Sequence, residues 1–378
     1  MYKIATLNKI SPVGLKQLPG GYILVENASE ADGILVRSQD MHEMELGDKL
    51  KAIARAGAGV NNIPLDKCAE RGIVVFNTPG ANANAVKELV LCGLLLAARN
   101  VPSALSWAAR LKEDVSKTVE KGKSQFAGSE ILGKTLGVVG LGAIGRKVAA
   151  SAKALGMEIV GYDPYYVSGG EGISVYSDLG EMLSLCDYVT LHLPANDSTK
   201  GMMNAELFDA MKDGTVLLNF SRDKLVNELD LAAAMESGKV AKYVTDFPND
   251  NMVGRENVIL LPHLGASTAE AEDNCAIMAA KQIVNFVEKG NIVNSVNYPA
   301  CDPGYTDGAR LCVLHANVPN MVGSVTALLA AQGINIANMV NKSRGALAYT
   351  VIDADGEIGA NVVKAVAAVE NVYKVRLI

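Results

Sequence analysis

The chain has 378 residues, more than one ordinary core holds, so two or three domains are expected. Apolar residues make up 49% and charged residues 20%, which fits a globular protein and excludes a disordered one. The formal net charge of −6, without any Lys/Arg-rich run, argues against nucleic acid or an anionic membrane as partner and leaves small anions open.

The chain opens Met1-Tyr2-Lys3-Ile4-Ala5, which has no signal-peptide pattern. Short apolar runs at Tyr22–Val25, Gly33–Val36, Ala52–Ala56 and Ile73–Phe76 read as strands between turn signals, and their alternation with helical segments predicts a parallel α/β sheet. His42 is expected on a solvated helix. From Val86 to Arg110 the pattern is helical; its apolar run Leu89–Ala98 is too short to span a bilayer and reads as a buried helix of the kind found in subunit interfaces. A second α/β series follows, with strands at Thr135–Val139, Glu158–Tyr162, Tyr188–Leu193, Val216–Asn219, Lys242–Thr245 and Val258–Leu261, and helices at Ile144–Leu155 and Ala269–Lys289. Asn297 to Gly308 is the linker candidate. The remainder reads as strand Arg310–His315, helix Met321–Ala331, strands Ile334–Lys342 and Ala346–Asp353, helix Asn361–Val369 and strand Tyr373–Leu377. That βαββαβ order is ferredoxin-like. The cysteines at 68, 92, 186, 275, 301 and 312 form no C-x-x-C pair and meet no His cluster, so they read as free thiols of a reducing cytoplasm, with no metal site.

Gly140-Leu141-Gly142-Ala143-Ile144-Gly145 follows an apolar strand and opens a helix. Gly140 permits the tight turn, Gly142 lets backbone approach a pyrophosphate, and Gly145 lets helix and strand pack closely. The helix start at Ala143 and Ile144 offers N–H groups and a positive dipole end to phosphates. Asp163 ends the next strand, where a carboxylate binds ribose hydroxyls and repels a 2′-phosphate, so NAD is expected over NADP.

Several phrases, in order, resemble one family. Gly133 to Arg146 resembles the coenzyme-domain start of the D-2-hydroxyacid dehydrogenases, and Asn77-Thr78-Pro79-Gly80-Ala81-Asn82 the entry into that domain. Leu191-His192-Leu193-Pro194 resembles their loop beside the nicotinamide ribose. Asn219-Phe220-Ser221-Arg222 resembles the loop of their catalytic arginine, and Pro262-His263-Leu264-Gly265-Ala266-Ser267-Thr268 their catalytic histidine segment. The tail, at His315-Ala316-Asn317-Val318-Pro319-Asn320 and Gly333-Ile334-Asn335-Ile336, resembles the ACT regulatory domain. The resemblance implies two Rossmann-like or flavodoxin-like parallel-sheet domains. The substrate domain is discontinuous, over 1–83 and 265–300, the NAD domain covers 84–264, and a ferredoxin-like ACT domain covers 305–378.

It also implies roles. Arg222 grips the substrate carboxylate with its planar fork, and His263 takes the hydroxyl proton. His192, Pro194, Asn219, Ser221, Asp246 and Gly265 join Gly140, Gly142, Ala143, Ile144, Gly145 and Asp163 around NAD. The family phrase Asp-Val-Phe-x-x-Glu-Pro is represented here by Thr245-Asp246-Phe247-Pro248-Asn249-Asp250-Asn251, without its glutamate. Asp250 falls nearest that place and is expected to orient His263. Arg37, Ser38, Arg55 and Gly57 form the expected substrate loop, while His315, Asn317 and Asn335 match positions that contact serine. The reaction implied is NAD-dependent oxidation of a small anionic 2-hydroxy acid, 3-phospho-D-glycerate, as the first step of serine synthesis, with L-serine as effector and a homodimer or homotetramer as the assembly. Another 2-hydroxy acid, or a non-catalytic NAD-binding regulator, remains the alternative.

Overall fold

A computed structural model describes residues 1–166 and 172–378, and its contacts divide the chain into two compact units, Met1–Asn82 with Ala269–Ile378, and Ala83–Thr268.

The first unit carries five parallel strands, β1 (Tyr2–Leu7), β2 (Tyr22–Val25), β3 (Gly33–Val36), β4 (Ala52–Arg55) and β5 (Val74–Phe76), ordered β2-β1-β3-β4-β5. All of β3 and β5 is buried, as expected of parallel strands covered on both faces. The 21-residue helix Ala269–Lys289 lays Cys275, Ala276, Ala279, Ile283, Phe286 and Val287 against Ile4, Leu35, Ala54 and Phe76. Those positions recur at helical spacing, so one stripe of the helix does the packing. Gly14 is where a neighbouring helix touches it; a Cβ there would stand 2.4 Å from that of Ala276.

The same unit holds an antiparallel sheet of β13 (Ala309–Ala316), β14 (Ile336–Arg344), β15 (Leu347–Ala354) and β16 (Val372–Leu377), ordered β14-β15-β13-β16. With helices Met321–Ala331 and Ala360–Ala367 the chain order is βαββαβ. Strand β13 shows why its residues are apolar without alternation. Leu311 and Val313 face the two helices, whereas Cys312 and Leu314 join the core built on Phe76 and Phe286. The sheet also captures the carbonyls left over at the end of helix Ala269–Lys289. Arg376 donates to Phe286 O and Val287 O at 3.2 and 2.6 Å, Arg310 to Lys289 O at 2.7 Å, and the Tyr349 hydroxyl to Gly290 O at 2.7 Å. Arg310 in turn meets Asp353 in a two-pronged ion pair, Nε–Oδ1 2.6 Å and Nη2–Oδ2 2.9 Å, with both residues under 5% exposed.

The second unit is a seven-stranded parallel sheet of β6 (Thr135–Val139), β7 (Glu158–Tyr162), β8 (Ser174–Tyr176), β9 (Tyr188–Leu191), β10 (Thr215–Asn219), β11 (Val240–Thr245) and β12 (Val258–Leu260). Its order, β12-β11-β10-β9-β6-β7-β8, reverses between β6 and β9, and ligands of such sheets bind at the carboxyl ends of the strands beside that reversal. Helices Ala83–Ala98 and Ala143–Ala154 cover one face through Val90, Leu94, Val148 and Ala152.

The parallel α/β reading therefore holds, with local corrections. The helix expected over Val86–Arg110 is two helices, Ala83–Ala98 and Val101–Ala108, bent by 70° at Asn100, whose φ is +53°. The Lys242 ammonium holds the break by donating to Ala97 O at 2.5 Å and to the Asn100 side chain. His42 lies in a turn against Asp40, not on a helix, because Asp40 accepts both its ring and its backbone N–H. The expected linker begins late: Asn297 and Tyr298 are buried. Asn297 mimics a further strand beside β5, accepting from Val75 N and donating to Ile73 O, each at 2.9 Å.

Candidate active site

At the switch point the fold itself requires two of the three glycines, Gly140 and Gly145. Gly140 has φ +96°, and a Cβ there would lie 2.6 Å from the carbonyl oxygen of His192. A Cβ on Gly145 would strike Gly140 O at 1.9 Å. At Gly142, chain neighbours and the helix's own backbone aside, nothing among the described residues lies within 4 Å of where a Cβ would stand, so these residues leave the space before the helix open. The helix Ala143–Ala154 begins without a side-chain cap, leaving the N–H groups of its first turn for a ligand. Asp163 closes the turn from behind, accepting Leu141 N at 2.8 Å and Tyr165 N at 2.9 Å. An open cradle, uncapped N–H groups and a carboxylate at the end of β7 fit a dinucleotide.

Asn219, fully buried at the end of β10, folds the next loop. Its Nδ2 donates to Arg222 O at 2.8 Å, its Oδ1 accepts Ser221 N at 3.2 Å, and its backbone carbonyl accepts the Thr245 hydroxyl at 2.7 Å. Ser221 Oγ donates to Leu193 O at 2.7 Å, which ties this loop to that of His192 and Pro194. The Arg222 guanidinium turns back to Ser221 O at 2.6 Å. His192 Nε2 lies 3.0 Å from Thr190 Oγ1; burial of the ring pushes its pKa down to about 3, so it stays neutral.

Beyond β11, Asp246 is 1% exposed. Its Oδ2 accepts Gly265 N at 2.8 Å, and its Oδ1 is buried without a hydrogen-bond partner among the described residues. Burial raises its pKa, opposed by that hydrogen bond and by the charges of His263 and Arg222. His263 N donates to Asp246 O at 2.9 Å, and His263 has φ +47°, a left-handed conformation uncommon outside glycine. Its ring packs on Phe247, centroids 4.8 Å apart. Asp250 is exposed, and among the described residues no hydrogen bond or ion pair joins it to His263. Instead its neighbours Asn249 and Asn251 donate to the two oxygens of Glu228 at 2.9 and 2.7 Å.

Within the first unit, Arg55 Nε donates to Arg37 O at 3.0 Å, and its guanidinium lies over Gly57, where a Cβ would stand 2.3 Å from Arg55 Nη1. Arg37 pairs with Glu272 at 2.7 Å. Ser38 N and Gln39 N are both accepted by the Asn8 side chain. In the C-terminal sheet His315 is 2% exposed, with Nδ1 at 2.7 Å from Ala316 O and Nε2 at 2.8 Å from Thr350 Oγ1. Its ring is thus committed to the interior, whereas Asn317 donates to Gly345 O and Asn335 to Asp355 at the surface.

Residues 93–265 match the family described as D-isomer specific 2-hydroxyacid dehydrogenase, NAD binding domain. The D-3-phosphoglycerate dehydrogenase of Escherichia coli K12 is 33% identical over 344 residues, covering 88% of this chain and 82% of that protein. The chain belongs to the D-2-hydroxyacid dehydrogenases. The D-3-phosphoglycerate dehydrogenase of Methanocaldococcus jannaschii is 38% identical over 293 residues, 73% of this chain, although the match spans only 54% of that protein's length. Among solved structures, the NAD+-bound 3-phosphoglycerate dehydrogenase of Entamoeba histolytica aligns with TM-score 0.63 at 28% identity, over 78% of this chain and 98% of that one. The glyoxylate/hydroxypyruvate reductase of Sinorhizobium meliloti aligns with TM-score 0.68 at 25% identity, over 78% and 98%.

In this D-2-hydroxyacid dehydrogenase the structure gathers the Arg222, His263 and Asp246 segments at the carboxyl ends of β10, β11 and β12. Sequence reasoning missed Phe247, Glu228, Glu272 and Asn8. Of these, Phe247 had a visible signal: it directly follows Asp246, whereas the family phrase has a residue between the two.

Proposed function

We propose that this dehydrogenase oxidises 3-phospho-D-glycerate to 3-phosphohydroxypyruvate with NAD, the opening step of serine synthesis. The observation that carries the choice of a phosphorylated acid is two arginines at the ends of adjacent strands, Arg55 held by the backbone carbonyl of Arg37 and the Arg37 guanidinium paired with Glu272. The names of the relatives from E. coli and M. jannaschii support the same choice. Arg222 takes the substrate carboxylate bidentately. His263 accepts the proton of the 2-hydroxyl as the carbonyl forms, and the nearby charge of Asp246 favours the resulting imidazolium. The glycine turn, Asp163, and the loops of His192, Pro194, Asn219 and Ser221 hold NAD, which supplies the hydride acceptor. The test is NADH formation from 3-phosphoglycerate with the product trapped; no NADH at high enzyme concentration overturns the proposal.

Asp163 predicts the cofactor. A 2′-phosphate placed against its carboxylate costs about 4 kcal/mol at an effective dielectric of about 20, so NADP should serve roughly 10²–10³-fold less well than NAD, measured as kcat/KM. Asp163→Ser should narrow that ratio.

The assembly we propose is a cytoplasmic homodimer or homotetramer with L-serine as effector of an ACT-type C-terminal domain. Helices Val101–Ala108 and Val115–Gly122 bury none of their own residues and expose Leu105 (63%) and Val115 (48%), surface suited to a second copy. Leu105→Asp is expected to shift the protein toward monomer in sedimentation. Serine is expected to raise thermal stability through Asn317 and Asn335; unchanged melting over a wide serine range ends that reading.

A further inference from the structure

We propose that Phe247 is the positioning residue of His263, taking over the orienting role for which the resemblance leads one to expect a carboxylate. This rests on the reading of His263 as the base.

The geometry follows from a contraction of one residue. The family phrase places its phenylalanine two positions after the aspartate; here Phe247 comes directly after Asp246. In extended chain, a shift by one residue sends a side chain to the opposite face. The segment around Phe247 is firmly held: Thr245 Oγ1 accepts Phe247 N at 3.1 Å while donating to Asn219 O, and Thr245 O accepts Leu261 N at 2.9 Å. One residue further, Asp246 O accepts His263 N at 2.9 Å. These bonds continue the β11–β12 pairing past both strands and bring the two rings together, 4.8 Å apart and tilted by 50°. The left-handed backbone of His263 fixes the direction in which its side chain leaves the chain.

The acidic position has moved the other way. Asn249 and Asn251 clasp Glu228 at the start of helix Glu228–Glu236, and Asp250 between them is exposed. Asp246, buried and joined to His263 by that backbone bond, is the carboxylate on which the charges of both His263 and Arg222 act. An aromatic ring is a suitable partner beside them. It prefers tilted contact with another ring, it attracts the cation formed when the imidazole gains a proton, and it holds the ring without competing for that proton.

The experiment compares Phe247→Leu, Phe247→Tyr and Asp250→Asn by steady-state kinetics with 3-phosphoglycerate and NAD. The His263 ring resonances of the protein without substrate, assigned through His263→Asn, give a second readout. Phe247→Leu should lower kcat about 10-fold with both KM values unchanged, and should displace the His263 resonances as the ring current disappears. Phe247→Tyr should restore both, and Asp250→Asn should change neither. Unchanged kcat and resonances in Phe247→Leu overturn the proposal, as does an Asp250→Asn variant that lowers kcat and moves the resonances. If the intact protein turns over no substrate, the activity reading fails separately. The resonances still decide the contact, supporting it if Phe247→Leu displaces them and overturning it if they stay.

Discussion

Arg310→Met is expected to destabilise the first unit by about 3–5 kcal/mol, the usual consequence of removing one partner of a buried ion pair. Asp353, only 4% exposed, keeps its charge and loses both guanidinium bonds, with the Asn338 amide at 3.3 Å as its remaining side-chain donor. The carbonyls of Lys289 and Gly304 lose their donor in the same step. Chemical unfolding followed through the far-ultraviolet signal measures the loss. The pair as such is worth far less than either half alone, so Arg310→Met combined with Asp353→Leu should recover most of the stability. A double variant as unstable as the single one would place the energy in the two carbonyl bonds.

His263→Asn is expected to reduce kcat by about 10²–10⁴, the range for removing a general base, while NAD affinity measured by fluorescence stays within a few-fold. No other histidine in the second unit can take over. His192 is the one candidate there, and burial holds its pKa down at about 3, so it binds no proton where the enzyme works. The same shift has a sign for stability. Between its ordinary value near 6.5 and about 3, the unfolded chain takes up a proton that native His192 refuses, so folding stability falls as the pH drops through that window. His192→Gln should flatten that part of the stability curve and leave the pH limbs of kcat/KM in place.

Much of the coenzyme half was legible in the sequence because its constraints are local. Gly140 and Gly145 are dictated by atoms within a few residues of the turn or on the adjacent strand, and a short motif carries that information. Strands β3, β6 and β10 are buried on both faces and therefore read as apolar runs. Strand β1 escaped notice because its partly exposed residues break the run, and the buried part of Asn297–Gly308 escaped because an asparagine normally marks a loop. Asn297 is consumed by hydrogen bonds to Ile73 and Val75, more than two hundred residues away in sequence. His315 shows the opposite failure. Its phrase matched a ligand position, yet its ring lies inside the sheet, where burial lowers its pKa and Thr350 and Ala316 occupy its nitrogens. At Phe247 the missing residue was visible beforehand, but which ring it would bring to His263 depended on the pairing of β11 with β12.

The C-terminal sheet bears on how this chain could be taken apart. Its βαββαβ order is that of a self-contained unit, which makes the tail look like a detachable cassette. Physically it is no cassette. Cys312, Leu314, Tyr349 and Val351 complete the same core as Phe76 and Phe286, and two arginines and a tyrosine close the end of helix Ala269–Lys289. A gene cut after Pro303 would encode an open apolar face and an unsealed helix rather than an unregulated enzyme. Shuffling tails between homologues would succeed only if the graft carried a matching wall for that core.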